Sequence, residues 1–402
     1  MNSLINNKLV LFGAGKIGRS FIGQLFSQGG YEVVFIDVFQ PVIDELNKRR
    51  SYNVVIKSDM DSVITIQNVR AVFAGDVDIV IDELTTASIV AVSVGQKGLQ
   101  SVIPLIANGL LKRFEIVGSA PLDIIIAENL RNAAEFFSQK LSAQLPEGYP
   151  LNERVGLIET SIGKMVPIMT QKDMESDMLR VFAEPYNTLI LDKLAFKNQI
   201  PQIEGLAPKE NIKAWVDRKL FIHNLGHATA AYLGFLEYPD STFLYEVLSD
   251  GQLKERVRNT MLQAASILLR KYPNEFTLES LTEHVDDLLI RFQNKTLGDT
   301  LFRVGCDLCR KLGAEDRLAG AIHAARDFNL PYDLILYSLV CGCHFNATDE
   351  SGRTLQSDRE FMTIYSKGIK TVLTSVCSFD EINDSEMILE AISMDNLLKS
   401  LL

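Results

Sequence analysis

Lys8-Leu9-Val10-Leu11-Phe12-Gly13-Ala14-Gly15-Lys16-Ile17-Gly18 is the stretch on which the fold turns. Leu9 to Phe12 read as a short buried strand, and a helical pattern with apolar residues three and four apart follows over Lys16–Ser27. Between them the glycines occupy the three fixed places of a G-x-G-x-x-G turn. Gly13 permits the tight turn, Gly15 lets a phosphate come close to the backbone, and Gly18 lets the helix sit against the strand. The helix N-terminus adds free N–H groups and partial positive charge, which suit a pyrophosphate. Asp37 closes the next strand-like run, where a carboxylate accepts from ribose hydroxyls and repels a 2′-phosphate. An NAD site built from Gly13, Ala14, Gly15, Lys16, Ile17, Gly18 and Asp37 is therefore expected, with Val94 and Gly95 completing it after a third strand. A glycine turn in an unrelated α/β protein and a flavin site are the competing readings.

Outward from that turn, β-branched runs alternate with helical patterns, the sign of a parallel sheet with helices on its faces. Strands are expected at Lys8–Phe12, Glu32–Asp37, Ser88–Val94, Leu122–Ala127 and Val155–Thr160. Helices are expected between them at Lys16–Ser27, Pro41–Lys48, Gln96–Leu111 and Leu130–Leu141. Tyr52–Phe73 alternates with a period of two and reads as an antiparallel insertion. After a Pro-containing connection at 201–208, long helical periods take over: Glu210–Leu233, Tyr245–Tyr272, Leu278–Phe292, Ala314–Phe328, Tyr332–Cys343, Glu360–Val376 and Ser385–Leu401, with a polar loop at Thr348–Arg359. The expected architecture is an α/β Rossmann domain, doubly wound around a mostly parallel sheet, over 1–200, followed by a mostly α-helical domain over 201–402.

A chain of 402 residues with 47% hydrophobic and 23% charged residues supports two packed cores. Its net charge of −11 disfavours nucleic acid and anionic membrane as partners and favours a small molecule. Apolar runs are too short to span a bilayer, and with seven mostly polar residues ahead of the first strand-like run no secretory leader is expected. Five cysteines suit a reducing compartment, so a cytoplasmic protein with free thiols is expected, as a monomer or a homodimer.

Lys219-Leu-Phe-Ile-His223-Asn224-Leu-Gly-His227 lies on a predicted helix at the start of the second domain. On an α-helix this spacing is read as placing Lys219, His223, Asn224 and His227 on adjoining parts of one face. Hydride transfer to a carbonyl needs a proton donor, groups that stabilise the alkoxide and a group that orients the substrate, and lysine, asparagine and histidine suit those tasks. Solvent-facing or mutually satisfied side chains explain the same spacing without any chemistry.

These motifs resemble the polyol-specific long-chain dehydrogenases, the mannitol dehydrogenase family, and most of all its branch that acts on a phosphorylated hexitol. The likeness runs through Phe12 to Arg19, Ala127-Glu128-Asn129-Leu130, Val155-Gly156 with Val166-Pro167, Arg218 to Phe221 with Asn224 and His227-Ala228, and Arg310-Lys311-Leu312 with Asp316-Arg317-Leu318. The resemblance implies a metal-independent, NAD-dependent interconversion of a ketose phosphate and a hexitol phosphate. It implies Lys219 as general acid/base, Asn224 and Asn129 at the developing oxyanion, and His227 orienting the substrate; His223 lies outside the motif and is read as packing or support.

Departures from the family pattern bear on the substrate. Gly163 stands where relatives carry an Asp-Arg pair, Cys306 and Leu308 where phosphate-using relatives read Arg-x-Pro, and Gly320 where a lysine is expected. Lys164, Arg303, Arg310 and Lys311 are left as candidates for a phosphate or carboxylate. A keto sugar acid reductase of the tagaturonate or fructuronate type, a free-polyol dehydrogenase and a catalytically silent NAD and sugar sensor stay open. Cys306, Cys309, Cys341, Cys343 and His344 have zinc-like spacing, but short-spaced cysteines on helices are commonly small buried filler, and no metal is expected.

Overall fold

The computed structural model describes residues 7–58 and 60–401. The chain forms two compact units, the first ending at Val216 and the second beginning at Asp217.

Among the described residues eleven strands build the first unit: β1 (Lys8–Phe12), β2 (Glu32–Asp37), β3 (Ser51–Ile56), β4 (Ser62–Gln67), β5 (Val69–Phe73), β6 (Ile89–Val92), β7 (Leu122–Ile126), β8 (Val155–Ile162), β9 (Val181–Ala183), β10 (Leu189–Asp192) and β11 (Leu206–Lys209). Eight of them form one sheet in the order β11-β10-β8-β7-β6-β1-β2-β5. From β8 to β5 every pairing is parallel, and β10 joins β8 antiparallel. The strand pleat sends Leu9, Leu11, Val33, Phe35 and Ile125 into the core on one face. Val10, Phe12, Val34, Ile36, Ile124 and Ile126 enter the core on the other. Burial of both faces is what an uninterrupted run of Val, Ile and Leu demands of a parallel strand.

The order of β6, β1 and β2 places the strand reversal at β1, so its C-terminal end opens on a crevice between loops going opposite ways. The five strands expected by pattern all lie in this sheet. The expected insertion divides differently: β3 and β4 are an antiparallel hairpin that takes β9 as a third strand, whereas β5 pairs parallel with β2 inside the main sheet. Past 201, β11 pairs parallel with β10, which keeps the connection with the first unit beyond position 200.

Helices dominate the second unit. Leu225–Glu237 is buried along most of its length and packs against Gly251–Lys271, Leu301–Gly305 and Asp333–Cys343. Asp250 caps the Gly251–Lys271 helix by accepting from the Leu253 N–H at 2.7 Å, and Thr277 caps Leu278–Phe292 by accepting from Ser280. Two short helices, Leu301–Gly305 and Leu308–Lys311, occupy a stretch that carries no helical period of its own. Among the described residues no helix is long and apolar enough to cross a membrane.

Candidate active site

A cavity of about 620 Å³ opens at the C-terminal end of β1. Its walls come from the loops after β1 (Phe12, Gly13, Gly15), β2 (Asp37, Val38), β5 (Phe73 to Gly75) and β6 (Ser93, Val94, Gly98). The three glycines of the turn differ in their surroundings. Gly13 has φ +96, and a Cβ there would lie 2.1 Å from the Ser93 carbonyl oxygen. A Cβ at Gly18 would lie 2.0 Å from the Gly13 carbonyl oxygen, so the helix is seated directly on the turn. At Gly15 a Cβ meets nothing within 4 Å: the space beside this backbone is open, the cradle a pyrophosphate fits.

Asp37 accepts from the Ala14 N–H at 2.6 Å and from the Val38 and Phe39 N–H groups at 2.8 and 2.9 Å. Both carboxylate oxygens are oriented by backbone; Oδ1 takes two of these N–H groups and Oδ2 one, which leaves Oδ2 acceptor capacity for a ribose hydroxyl. Lys16 is exposed and Ile17 half-buried. Arg19, to which pattern reading gave no task, is buried and ties the turn down: its Nε donates to the Ala14 carbonyl at 2.7 Å and Nη1 to the Leu179 carbonyl at 2.6 Å. Val94 and Gly95 spend their N–H groups on Glu128, at 2.7 and 2.8 Å. Asn129 is exposed beside it, and its carbonyl accepts from Gln96. The residues present thus fit a dinucleotide by conformation, space and acceptor chemistry.

Lys219, Asn224 and His227 share one continuous helical run in the second unit, but it is not a regular α-helix there. Lys219–Asn224 is a π-helical turn, flanked by Ile212–Arg218 and Leu225–Glu237. The difference decides the geometry. On an α-helix residues five apart diverge by about 140°. At roughly 4.4 residues per turn, the i→i+5 pattern brings Lys219 and Asn224 within about 50° of each other, with His227 on the same side. The single-face arrangement read from α-helical spacing therefore depends on this wider turn, for which residue composition carries no signal.

Lys219 is half-buried as a residue, and its amine is held down to about 8 from an ordinary 10.5. Burial is the main cause, the Arg317 cation adds to it, and Asp316 opposes it. Arg317 is itself fixed, donating from Nε to Asp316 at 2.8 Å and from Nη1 to the Asn224 carbonyl at 3.3 Å.

The His227 ring stacks on Phe292 at 4.7 Å, and its Nε2 lies 3.2 Å from the buried Asp299 carboxylate. Burial first, then Lys311, Arg303, Arg317 and Arg291, push its pKa well below the usual imidazole value, so the ring is neutral at pH 7. His223 packs edge-on to His227 and tilted against Phe292, also neutral. Asp299 was not among the residues singled out by spacing, since a lone Asp ahead of a short helix has no distinguishing pattern.

The cationic candidates have divided surroundings. Arg303 is exposed and pairs with Asp299. Lys311 is buried, donates to the Val304 carbonyl at 2.6 Å and is held down to about 8 by burial and Arg317. Arg310 is exposed and faces Asp307 and Asp316, at 2.5 and 3.3 Å. Lys164 belongs to the first unit, buried, with its ammonium 2.8 Å from Asn187. A Cβ at Gly320 would lie 3.1 Å from the Glu315 carbonyl and 3.3 Å from the Phe221 ring, so a side chain there would require these neighbours to give by a few tenths of an ångström.

Cys306 and Cys309 point to the Arg303 and Ser357 carbonyls, and His344 is bonded to Asp395 and Tyr365. Among the described residues no group of three or more Cys, His, Asp or Glu side chains is arranged to hold a metal.

Residues 7–205 match the family model described as the mannitol dehydrogenase Rossmann domain, and residues 211–398 match the mannitol dehydrogenase C-terminal domain. Among solved structures, D-sorbitol dehydrogenase in substrate-free form is similar with a TM-score of 0.81 and 17% identity, over 98% of this chain and 93% of that one. The Pseudomonas fluorescens mannitol 2-dehydrogenase ternary complex with NAD and D-mannitol is similar with a TM-score of 0.77 and 17% identity, over 98% and 92%. At this level of identity the likeness speaks for the fold.

Proposed function

The chain belongs to the mannitol dehydrogenase family, and on that premise we propose that it is an NAD-dependent, metal-independent oxidoreductase of the mannitol-1-phosphate 5-dehydrogenase type, interconverting a ketose phosphate and a hexitol phosphate. The observation that carries the chemistry is the lowered pKa of Lys219, about 8. An amine that titrates near neutrality gives up or takes a proton at physiological pH, as a general acid/base must. Gly13, Ala14, Gly15, Lys16, Ile17, Gly18 and Asp37, with the Val94–Gly95 turn, would hold the dinucleotide. When bound, it supplies or accepts the hydride.

In reduction the Lys219 ammonium gives its proton to the oxygen of the forming alkoxide; in oxidation the neutral amine takes the hydroxyl proton. The Asn224 and Asn129 side chains are assigned to stabilising that oxygen by donating hydrogen bonds. Neutral His227 both donates and accepts, which suits orientation of a neighbouring substrate hydroxyl. Asp37, a carboxylate where a 2′-phosphate would sit, supports NAD over NADP.

The cations Lys311, Arg303, Arg317 and Arg291, all close enough to depress His227, support an anionic substrate. A specific observation favours a second reading, a free polyol: Gly320 supplies no cation where a lysine is expected and is closely packed against Glu315 and Phe221, and Arg310 is engaged by Asp307 and Asp316. Following NADH consumption against fructose 6-phosphate, fructose and keto sugar acids separates them. The proposal expects the phosphate to have the highest kcat/KM; preference for fructose selects the second reading, and turnover of none of these sugars removes both.

A further inference from the structure

The turn after β6 is held by a residue to which the proposed chemistry gives no task. Ser93, Val94 and Gly98 line the cavity, and the Val94 and Gly95 N–H groups both donate to one oxygen of Glu128. Gly95 adopts φ +73, a conformation a side chain would strain, so the turn that aims both donors at the carboxylate needs this glycine. Glu128 stands just past β7, where the Ala127 N–H donates to the Val92 carbonyl at 2.9 Å. The ends of β6 and β7 thereby fix both halves of the clamp. Glu128 is only 8% exposed, and burial raises its carboxyl above the usual range while the two N–H groups pull it back.

Both donors are neutral amides. A buried carboxylate answered by neutral donors keeps much of its desolvation cost, and a cation placed near it recovers that cost. The two redox forms of NAD differ in this respect at one place: the oxidised nicotinamide ring is positively charged and the reduced ring is neutral. Backbone conformation alone treats the two forms alike, whereas the carboxylate does not.

We propose that Glu128 is a positioning residue with a second effect: its hydrogen bonds set the 93–95 turn for either form of the cofactor, and its charge favours the oxidised form. The inference rests on the reading of the cavity as an NAD site.

Glu128→Gln keeps an acceptor oxygen for the two N–H groups and removes the charge, while Glu128→Ala removes both. Binding is measured on the purified full-length chain at about pH 8, well above an ordinary carboxylate, with NADH followed by its fluorescence and NAD⁺ by calorimetry. Glu128→Gln should weaken NAD⁺ on the order of tenfold, or about 1.4 kcal/mol, and leave the NADH Kd within about twofold. Equal weakening of both forms in the Gln variant, or no change in either, overturns the charge effect. Unaltered binding of both by a folded Ala variant overturns the clamp; if that variant does not fold, the Gln variant alone decides the proposal. Wild-type protein that binds neither form is a different outcome, which removes the cofactor reading itself and this inference with it.

Discussion

Arg317→Met should move the pH profile of this protein upward. The wild-type Lys219 amine sits at about 8, below its ordinary 10.5, so the ammonium is favoured by roughly 3 kcal/mol less than in water. Part of that difference comes from the Arg317 cation, and Asp316 pulls the other way. Removing the guanidinium deletes the lowering influence and releases Asp316 from its 2.8 Å bond, so both changes raise the lysine. At an effective dielectric near 20, loss of a cation roughly 12 Å from an amine is worth on the order of one pH unit. Polyol oxidation requires the neutral amine, so its rate rises with pH through the lysine pKa. The inflection in kcat/KM should shift from about 8 to about 9, and the rate at pH 8 should fall roughly fivefold while recovering at higher pH. Ketose reduction requires the ammonium, so its high-rate plateau should extend to higher pH in the same variant. Circular dichroism controls for the lost bond to the Asn224 carbonyl. A folded variant whose oxidation profile stays put or moves to lower pH would refute the assignment of the titrating group.

Two neighbouring glycines should separate binding from folding. Gly15→Val points into open space, so the melting temperature should hold while NADH fluorescence titration shows binding weakened on the order of a hundredfold; Gly13→Val, at φ +96 and against the Ser93 carbonyl, should lower the melting temperature as well, by a few kcal/mol of stability. Asp37→Ser removes the carboxylate that disfavours a 2′-phosphate, and the kcat/KM ratio of NADPH to NADH should rise on the order of tenfold or more. Gly320→Lys, which would press on the Glu315 carbonyl and Phe221, should cost about 1–3 kcal/mol in urea denaturation rather than restore a phosphate contact.

Much of this molecule can be read in one dimension because two periods dominate it. The parallel strands β1, β2 and β6 are buried on both faces and carry unbroken apolar runs at Leu9–Phe12, Val33–Ile36 and Ile89–Val92, whereas Asp123 interrupts β7 and Glu159 to Ser161 interrupt β8. The insertion was harder, since β5 has the same β-branched makeup as its hairpin neighbours and only pairing distinguishes it. Two glycines of the turn were legible by a steric reason, Gly13 by its φ of +96 and Gly18 by the 2.0 Å approach of a Cβ to the Gly13 carbonyl oxygen, while Gly15 borders open space. Glu128, Arg19 and Asp299 were not: each owes its task to groups from another part of the chain, 33 residues or more away for Glu128 and Gly95 and far more for Arg19 and Leu179. The π turn at Lys219 is a further case. It changes which side chains share a face without any Gly or Pro to announce it, so the grouping of Lys219 with Asn224 depends on this turn and not on α-helical spacing.

The central claim is that the Lys219 amine moves the proton that accompanies hydride transfer. Its most direct test is a single-turnover measurement with Lys219→Ala, following NADH disappearance against the ketose found to be turned over, beside an NADH binding titration. The account predicts a transfer rate reduced by about 10²–10⁴ with the NADH Kd within a few-fold of wild type. Transfer within a few-fold of the wild-type rate would contradict it.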